Sequence, residues 1–284
     1  VWLAHDLTLD RGVALARVAG PGAWERLRRE ARLTARLGGH RHIVTVHDVF
    51  DDDGTPCLVA RYMTGGSLSD RLERAPGGRL QPQDAIRAGR EIAAALAHAH
   101  AHGVVHRDVK PDNVWVDAEG DAALGDFGVA LADGETSASA GTPRYAAPEQ
   151  LTGDPVSART DLFSLGVTLY ELLTGVRPFA ATDKFRMRPP PPPSSHAPGI
   201  PEALDALVLS MLAYEPNDRP ADADAVAAAL AELGGSNAPT GVIGRTAELE
   251  RLRSALTQAW NGAARTIVVA GEPGIGKTTL LDAL

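Results

Sequence analysis

Residues 104–128 constrain this chain more than any other stretch. They carry VVHRDVKPDNVWV at 104–116 and LGDFG at 124–128, two acidic motifs eighteen residues apart with a strand pair between them. Phosphoryl transfer asks little covalent help from a protein, but it needs a carboxylate near the attacking hydroxyl and cations around the transferring group. Asp108 can be that carboxylate, and Lys110, two positions on, can reach a γ-phosphate. Asn113 and Asp126 offer the oxygen ligands that magnesium prefers. Taken singly, the first motif is a surface charge cluster and the second an ordinary turn; their occurrence together, at this spacing, speaks against that reading.

The organisation around them changes along the chain. The first hundred residues mix strand-like runs (IVTVHDVF at 43–50, PCLVARYM at 56–63) with one amphipathic helix, AWERLRREARLTARL at 23–37, which places Trp24, Leu27, Ala31 and Leu37 near one face. From about residue 82 the pattern is mainly helical. The run 82–103 starts with a proline and ends on a glycine, which suits helix start and stop chemistry. DLFSLGVTLYELLTG at 161–175 is apolar on nearly every side and predicts a buried helix. RPPPPPSS at 188–195 reads as a rigid, extended surface connection. A last helix at 222–233 runs into GGSNAPT at 234–240, a linker.

Composition narrows the partners. The net charge is −8 and the basic residues are dispersed, so neither nucleic acid nor an acidic membrane surface is suggested. Cys57 stands alone, which excludes an intrachain disulfide and fits a reducing, cytoplasmic setting. No run of eighteen apolar residues and no charged-then-apolar leader occurs, so no membrane segment is expected in these residues. Of the 28 basic residues 25 are Arg, and only Lys110, Lys184 and Lys277 are Lys. In so arginine-rich a chain, a lysine marks a place where a compact ammonium is needed. Two of the three lie in phosphate-handling motifs.

The chain resembles the bacterial serine/threonine class of eukaryotic-like (Hanks-type) protein kinases over residues 1–233. The marks recur in order: Glu30 in RREA, HRDVKPDN, DFG, GTPRYAAPEQ at 141–150, DLFSLG at 161–166 and NDRP at 217–220. The resemblance implies an α+β, two-lobed fold with a small β-rich lobe and a large helical one. It implies ATP and Mg2+ as cofactors, with Asn113 and Asp126 on the metal, and a protein substrate with a Ser/Thr acceptor. It places Val1, Ala14, Glu30, Ala60 as gatekeeper, the hinge residues Arg61, Tyr62 and Met63, and Trp115 around the nucleotide. Glu149 is implied to pair with Arg219, and Asp161 to anchor the catalytic loop. Thr142 stands where serine/threonine members carry it. Arg107 precedes Asp108, and DGETSASAGT at 133–142 offers Thr136, Ser137 and Ser139; a phosphate on Thr136, by autophosphorylation, could pair with Arg107.

Two departures stand out. The GxGxxG loop is not seen, and Val1 resembles the valine that follows it, so its absence reads as truncation. In VALARV, 13–18, the lysine expected to clamp the α- and β-phosphates and pair with Glu30 is Ala16. By analogy with deleting one donor from a preorganised site, the loss is of order 10²–10³ in rate. Arg17 replaces that lysine only if the strand bulges by one residue, since strand neighbours face opposite ways. A working kinase and a pseudokinase scaffold both remain open readings.

A second unit starts after the linker. RTIVVAGEPGIGKTTLLDAL at 265–284 contains GxxxxGK[ST] between a strand and a helix start. Its backbone N–H groups, with Gly271, Gly274 and Gly276, can cradle phosphates, Lys277 can reach the β- and γ-phosphates and Thr278 can bind Mg2+. Together with GVIGRTAELERL at 241–252, it resembles the start of an α/β P-loop ATPase of the AAA/STAND type, over 241–284.

Overall fold

The computed structural model describes residues 1–20, 22–132, 143–179 and 188–234. Val1–Leu233 form one compact unit. Its first part is a four-stranded antiparallel sheet of β1 (Trp2–Asp6), β2 (Arg11–Arg17), β3 (Val46–Asp52) and β4 (Thr55–Arg61), in the order β1-β2-β4-β3. The β3–β4 hairpin closes through Asp53 and Gly54, both at positive φ, the geometry that matches the twist of paired strands. Asp51 Oδ1 accepts from the Gly54 N–H at 2.7 Å and holds the turn.

Helix α1 (Ala23–Leu37) packs on this sheet. Leu27 and Leu37 are buried as the helical pattern requires, but Trp24 and Ala31 are half-buried, and the remaining buried positions are Ala23 and Thr34. The strand expected over 43–50 starts at Val46. Ile43 instead bridges to Leu124 in the helical lobe, and the Val44 N–H donates to the Leu124 carbonyl at 2.9 Å, so IVT is a tie between lobes.

The helical lobe comprises α2 (Leu68–Arg74), α3 (Pro82–Ala101), the short strands β5 (Val104–Val105), β6 (Val114–Val116), β7 (Ala122–Leu124) and β8 (Leu131–Ala132), then α4 (Pro148–Thr152), α5 (Ala158–Thr174), α6 (Glu202–Met211) and α7 (Ala223–Gly234). Helix α5 is the buried axis, with 14 of its residues buried. Leu162, Leu165, Leu169 and Leu172 have no exposed surface, and each such side chain contributes about 2 kcal/mol of burial. Gly89 of α3 lets the two helices meet: a Cβ there would lie 2.6 Å from Leu169 Cδ2. β6 and β7 pair antiparallel between the two acidic motifs. The proline run is more firmly seated than a surface connection. Pro190 and Pro193 are buried, Tyr170 donates to the Pro191 carbonyl at 3.1 Å, and Asp205 accepts from the Ser194 N–H at 3.0 Å. Prolines donate nothing from their backbone, but their carbonyls still accept. Among the described residues no helix is long and apolar enough to cross a membrane.

Candidate functional site

The loop between β5 and β6 is held in an unusual conformation. Arg107 has φ 74°, a left-handed setting that costs a non-glycine residue about 1–2 kcal/mol. The buried carboxylate of Asp161, on α5, offsets this: it accepts from the His106 N–H at 2.8 Å and the Arg107 N–H at 2.7 Å, and lies 2.7 Å from His100 Nε2. Gln150, on α4, donates to the Arg107 carbonyl at 2.9 Å from the other side. His106 Nδ1 accepts from the Asp108 N–H at 3.2 Å, so its proton sits on Nε2, 2.9 Å from the Gly125 carbonyl. One imidazole therefore joins the two acidic motifs.

Asp108 emerges from this loop largely buried. Lys110 Nζ donates to its Oδ2 at 2.6 Å, and Asn113 Nδ2 donates to its Oδ2 at 3.1 Å and its carbonyl at 2.9 Å. Asp126 is a second left-handed residue, φ 60°, and is exposed. Among the described residues its Oδ1 receives only a long bond, 3.4 Å, from the Gly128 N–H. With Asn113 Nδ2 committed to Asp108, the Asn113 Oδ1 and the Asp126 carboxylate are the oxygens left facing a common space, since both residues line the same cavity. A hard divalent cation takes six oxygens. These two residues fit as its protein ligands, with the rest left to phosphate and water.

That cavity, of about 300 Å³, lies between sheet and helical lobe. Val1, Ala14, Glu30, Ala60, Arg61, Tyr62, Met63 and Trp115, all singled out from sequence, share its wall. Arg17 does not. The β2–β4 register runs unbroken from Val13↔Arg61 to Arg17↔Cys57, so no bulge turns Arg17 inward. Ala14, Ala16 and Val18 face the cavity, while Arg17 points to the opposite side, 3.5 Å from Asp52 and donating to Thr55 Oγ1 at 3.2 Å. The expectation that Arg17 could serve as a displaced cation is corrected by this alternation.

Sequence reading also missed Thr34. It lies one helical turn beyond Glu30, on the same face of α1, and it lines the cavity; the i, i+4 spacing was the available signal. Its hydroxyl is buried without a hydrogen-bond partner among the described residues. Glu30 is the other unanswered group. Burial pushes its carboxyl up to about 7, and the negative charge of Asp126 adds to the rise. Among the described residues no cation opposes either effect, and the β2 residues that share the cavity wall are Ala14 and Ala16.

Further back, Glu149 and Arg219 form a buried two-pronged pair, with bonds of 2.7 and 2.8 Å. Arg219 also donates to the carbonyls of Arg159, Ala213 and Tyr214, at 2.9 Å each, and Thr160 donates to Glu149 Oε1 at 2.8 Å. Thr136 and Thr142, and the P-loop residues Gly271, Gly274, Gly276, Lys277 and Thr278, lie outside the described residues.

A two-lobed fold with a cleft of this composition is the arrangement that a nucleotide-dependent phosphotransferase needs. Residues 15–230 match the model of the protein kinase domain, and residues 241–284 match that of the AAA ATPase domain. The chain belongs to the protein kinase family, whose members use ATP with Mg2+. It is 40% identical over 219 residues to serine/threonine-protein kinase PknH of Mycobacterium bovis, covering 73% of this chain and 36% of that protein. It is 38% identical over 240 residues to serine/threonine-protein kinase PknB of Mycobacterium leprae, covering 77% of this chain and 38% of that protein. The chain thus spans little more than a third of the length of these relatives.

Proposed function

We propose that the protein is a serine/threonine protein kinase that transfers the γ-phosphoryl group of ATP to hydroxyls of protein substrates, itself included. The observation that carries this reading is the satisfied cluster of Asp108, Lys110 and Asn113 beside the open oxygens of Asp126. Bound Mg2+ would neutralise charge on the phosphates, held by Asn113 and Asp126. Asp108 orients the acceptor hydroxyl and takes its proton, with Asn113 fixing the carboxylate and Lys110 reaching from it toward the transferring phosphoryl. Ala60, Met63 and Trp115 enclose the base, with Arg61 and Tyr62 as the hinge. The Glu149–Arg219 pair supports the segment that receives the substrate, and phosphate on Thr136 would pair with Arg107. Thr142 is proposed to help select the hydroxyl.

The kinase domain is proposed to span 1–233 and a linker 234–240. From 241 an ATP-binding module follows, with Lys277 and Thr278 at its phosphates and metal, in a cytoplasmic signalling protein. The deciding experiment is phosphate transfer from labelled ATP to a basic protein, using protein expressed from its complete reading frame. Asp108→Asn should lower that rate by about 10³-fold. Equal rates would remove the assignment. The second reading, a pseudokinase scaffold, is favoured by Ala16 opposite Glu30; absence of any Asp108-dependent transfer, with nucleotide binding retained, would establish it.

A further inference from the structure

One wall of the cavity is chemically lopsided. Its strand side ends in methyl groups, at Ala14 and Ala16, next to Leu58. Its helix side carries two polar groups one turn apart, Glu30 and Thr34. Thr34 is 5% exposed, and its Oγ1 has no partner among the described residues. Glu30 lines the same wall and makes no hydrogen bond or ion pair among the described residues. Buried polar groups are rarely left unmatched, and a buried carboxylate without a counter-charge is more costly still. The missing complement is a positive group with hydrogen-bond donors, attached to a short apolar stem that can lie against the methyl groups.

We propose that Ala16, Glu30 and Thr34 form a binding site for a small primary alkylammonium ion, which supplies in trans the positive charge that strand β2 lacks. An ammonium has three donors. One reaches the Glu30 carboxylate, one the Thr34 hydroxyl, and the third is directed to the open cavity, where the nucleotide's phosphates would lie; this last step rests on the kinase reading. A lysine at position 16 would extend past its Cβ by three methylenes and an ammonium, so n-propylammonium has the size of what the alanine omits. A bare metal ion fits poorly. Divalent cations need six oxygens, and the methyl groups of Ala14 and Ala16 offer none.

The site is tested by titrating n-propylammonium chloride into the nucleotide-free protein, followed by calorimetry and saturation-transfer NMR. Potassium chloride and n-propanol serve as the charge-only and shape-only probes. Saturable binding of about millimolar strength is expected, in keeping with a four-atom ligand, with neither control binding. Ala16→Met, which fills the same space without charge, should abolish it, and Thr34→Val and Glu30→Gln should each weaken it about tenfold. With the ion bound, ATP should bind several-fold tighter. Non-saturable binding, undiminished binding to Ala16→Met, or an equal response to potassium would overturn the proposal. Because the binding readout needs no phosphoryl transfer, an inactive protein that takes up propylammonium sinks the kinase reading alone. An active one that does not take it up sinks the site alone.

Discussion

On the helical side of the cavity Asp108 receives hydrogen bonds from Lys110 and Asn113, and His106 ties its loop to Gly125. On the sheet side Glu30 shares its wall with Ala14 and Ala16 and has no cation to answer it among the described residues. The first set of groups is satisfied within the chain, before anything binds, so its geometry is preorganised. The second depends on what enters the cavity. The two halves of a phosphotransfer site are therefore separable: the carboxylate that handles the hydroxyl can be fully built while the positive group at the phosphates is missing.

The largest effect should come from breaking a pair that is complete. Glu149→Ala leaves the Arg219 guanidinium buried without its carboxylate. Removal of one partner of a buried ion pair costs about 3–5 kcal/mol. Urea unfolding should show a loss of that size, whereas Glu30→Gln, on the unpaired side, should be neutral or stabilising near neutral pH. A small loss for Glu149→Ala would mean that the helical lobe is less tightly interlocked than its hydrogen bonds indicate.

Completing the incomplete side should come next. Ala16→Lys places an ammonium opposite Glu30 and should raise kcat/KM by tenfold or more, within the roughly 10²–10³ that one preorganised donor is worth. If a rate that Asp108→Asn abolishes is untouched by Ala16→Lys, the clamp comes from elsewhere and the contrast between the walls is not functional.

A smaller effect follows from Glu30 itself. Its folded-state value, about 7, lies above the ordinary 4.5, so the fold favours the protonated carboxyl. That preference contributes fully below about pH 4.5 and is lost as pH rises to about 7. Other carboxylates titrate as well, so the informative quantity is the difference from Glu30→Gln. Between pH 5 and pH 8 wild type should lose about 2 kcal/mol relative to that variant, and Ala16→Lys should remove most of the loss. Parallel stability curves for wild type and Glu30→Gln would show that Glu30 is more hydrated than its position suggests.

How much of this was legible beforehand depends on whether a feature repeats along the chain or arises across it. The α5 axis was readable because fourteen buried residues in one helix leave no polar face to hide the pattern. Asp108, Asn113 and Asp126 were readable because their motifs are short and contiguous. Thr34 was harder to read: its spacing from Glu30 puts it on the same helix face, but that a cavity lies against that face, shared with Ala16 and Ala60, is visible only in the fold. The start of β3 was misplaced for a similar reason. Ile43 and Val44 are as strand-like as their neighbours, but their partner is Leu124, eighty residues away. Arg17 was the instructive case, since composition brings a cation within one residue of the required place and only strand register excludes it.

That exclusion yields the smallest expected effect. The side chains at 14 and 16 in β2, and at 18 just past its end, face the cavity, and Arg17, paired across from Cys57, faces away. Its guanidinium sits 3.5 Å from Asp52 in a half-exposed ion pair, an arrangement worth no more than about 1 kcal/mol. Bringing it round would require inserting a residue into a five-pair ladder and forfeiting backbone hydrogen bonds on both sides of the bulge. Arg17→Ala should therefore shift the unfolding free energy by about 0.5 kcal/mol or less and leave kcat/KM within a factor of about two. It should also be additive with Ala16→Lys, because the two side chains lie on opposite faces of the sheet and share no partner. A tenfold loss of transfer in Arg17→Ala, rescued by Ala16→Lys, would show that the strand rearranges when nucleotide binds and that the sheet wall supplies its own cation after all.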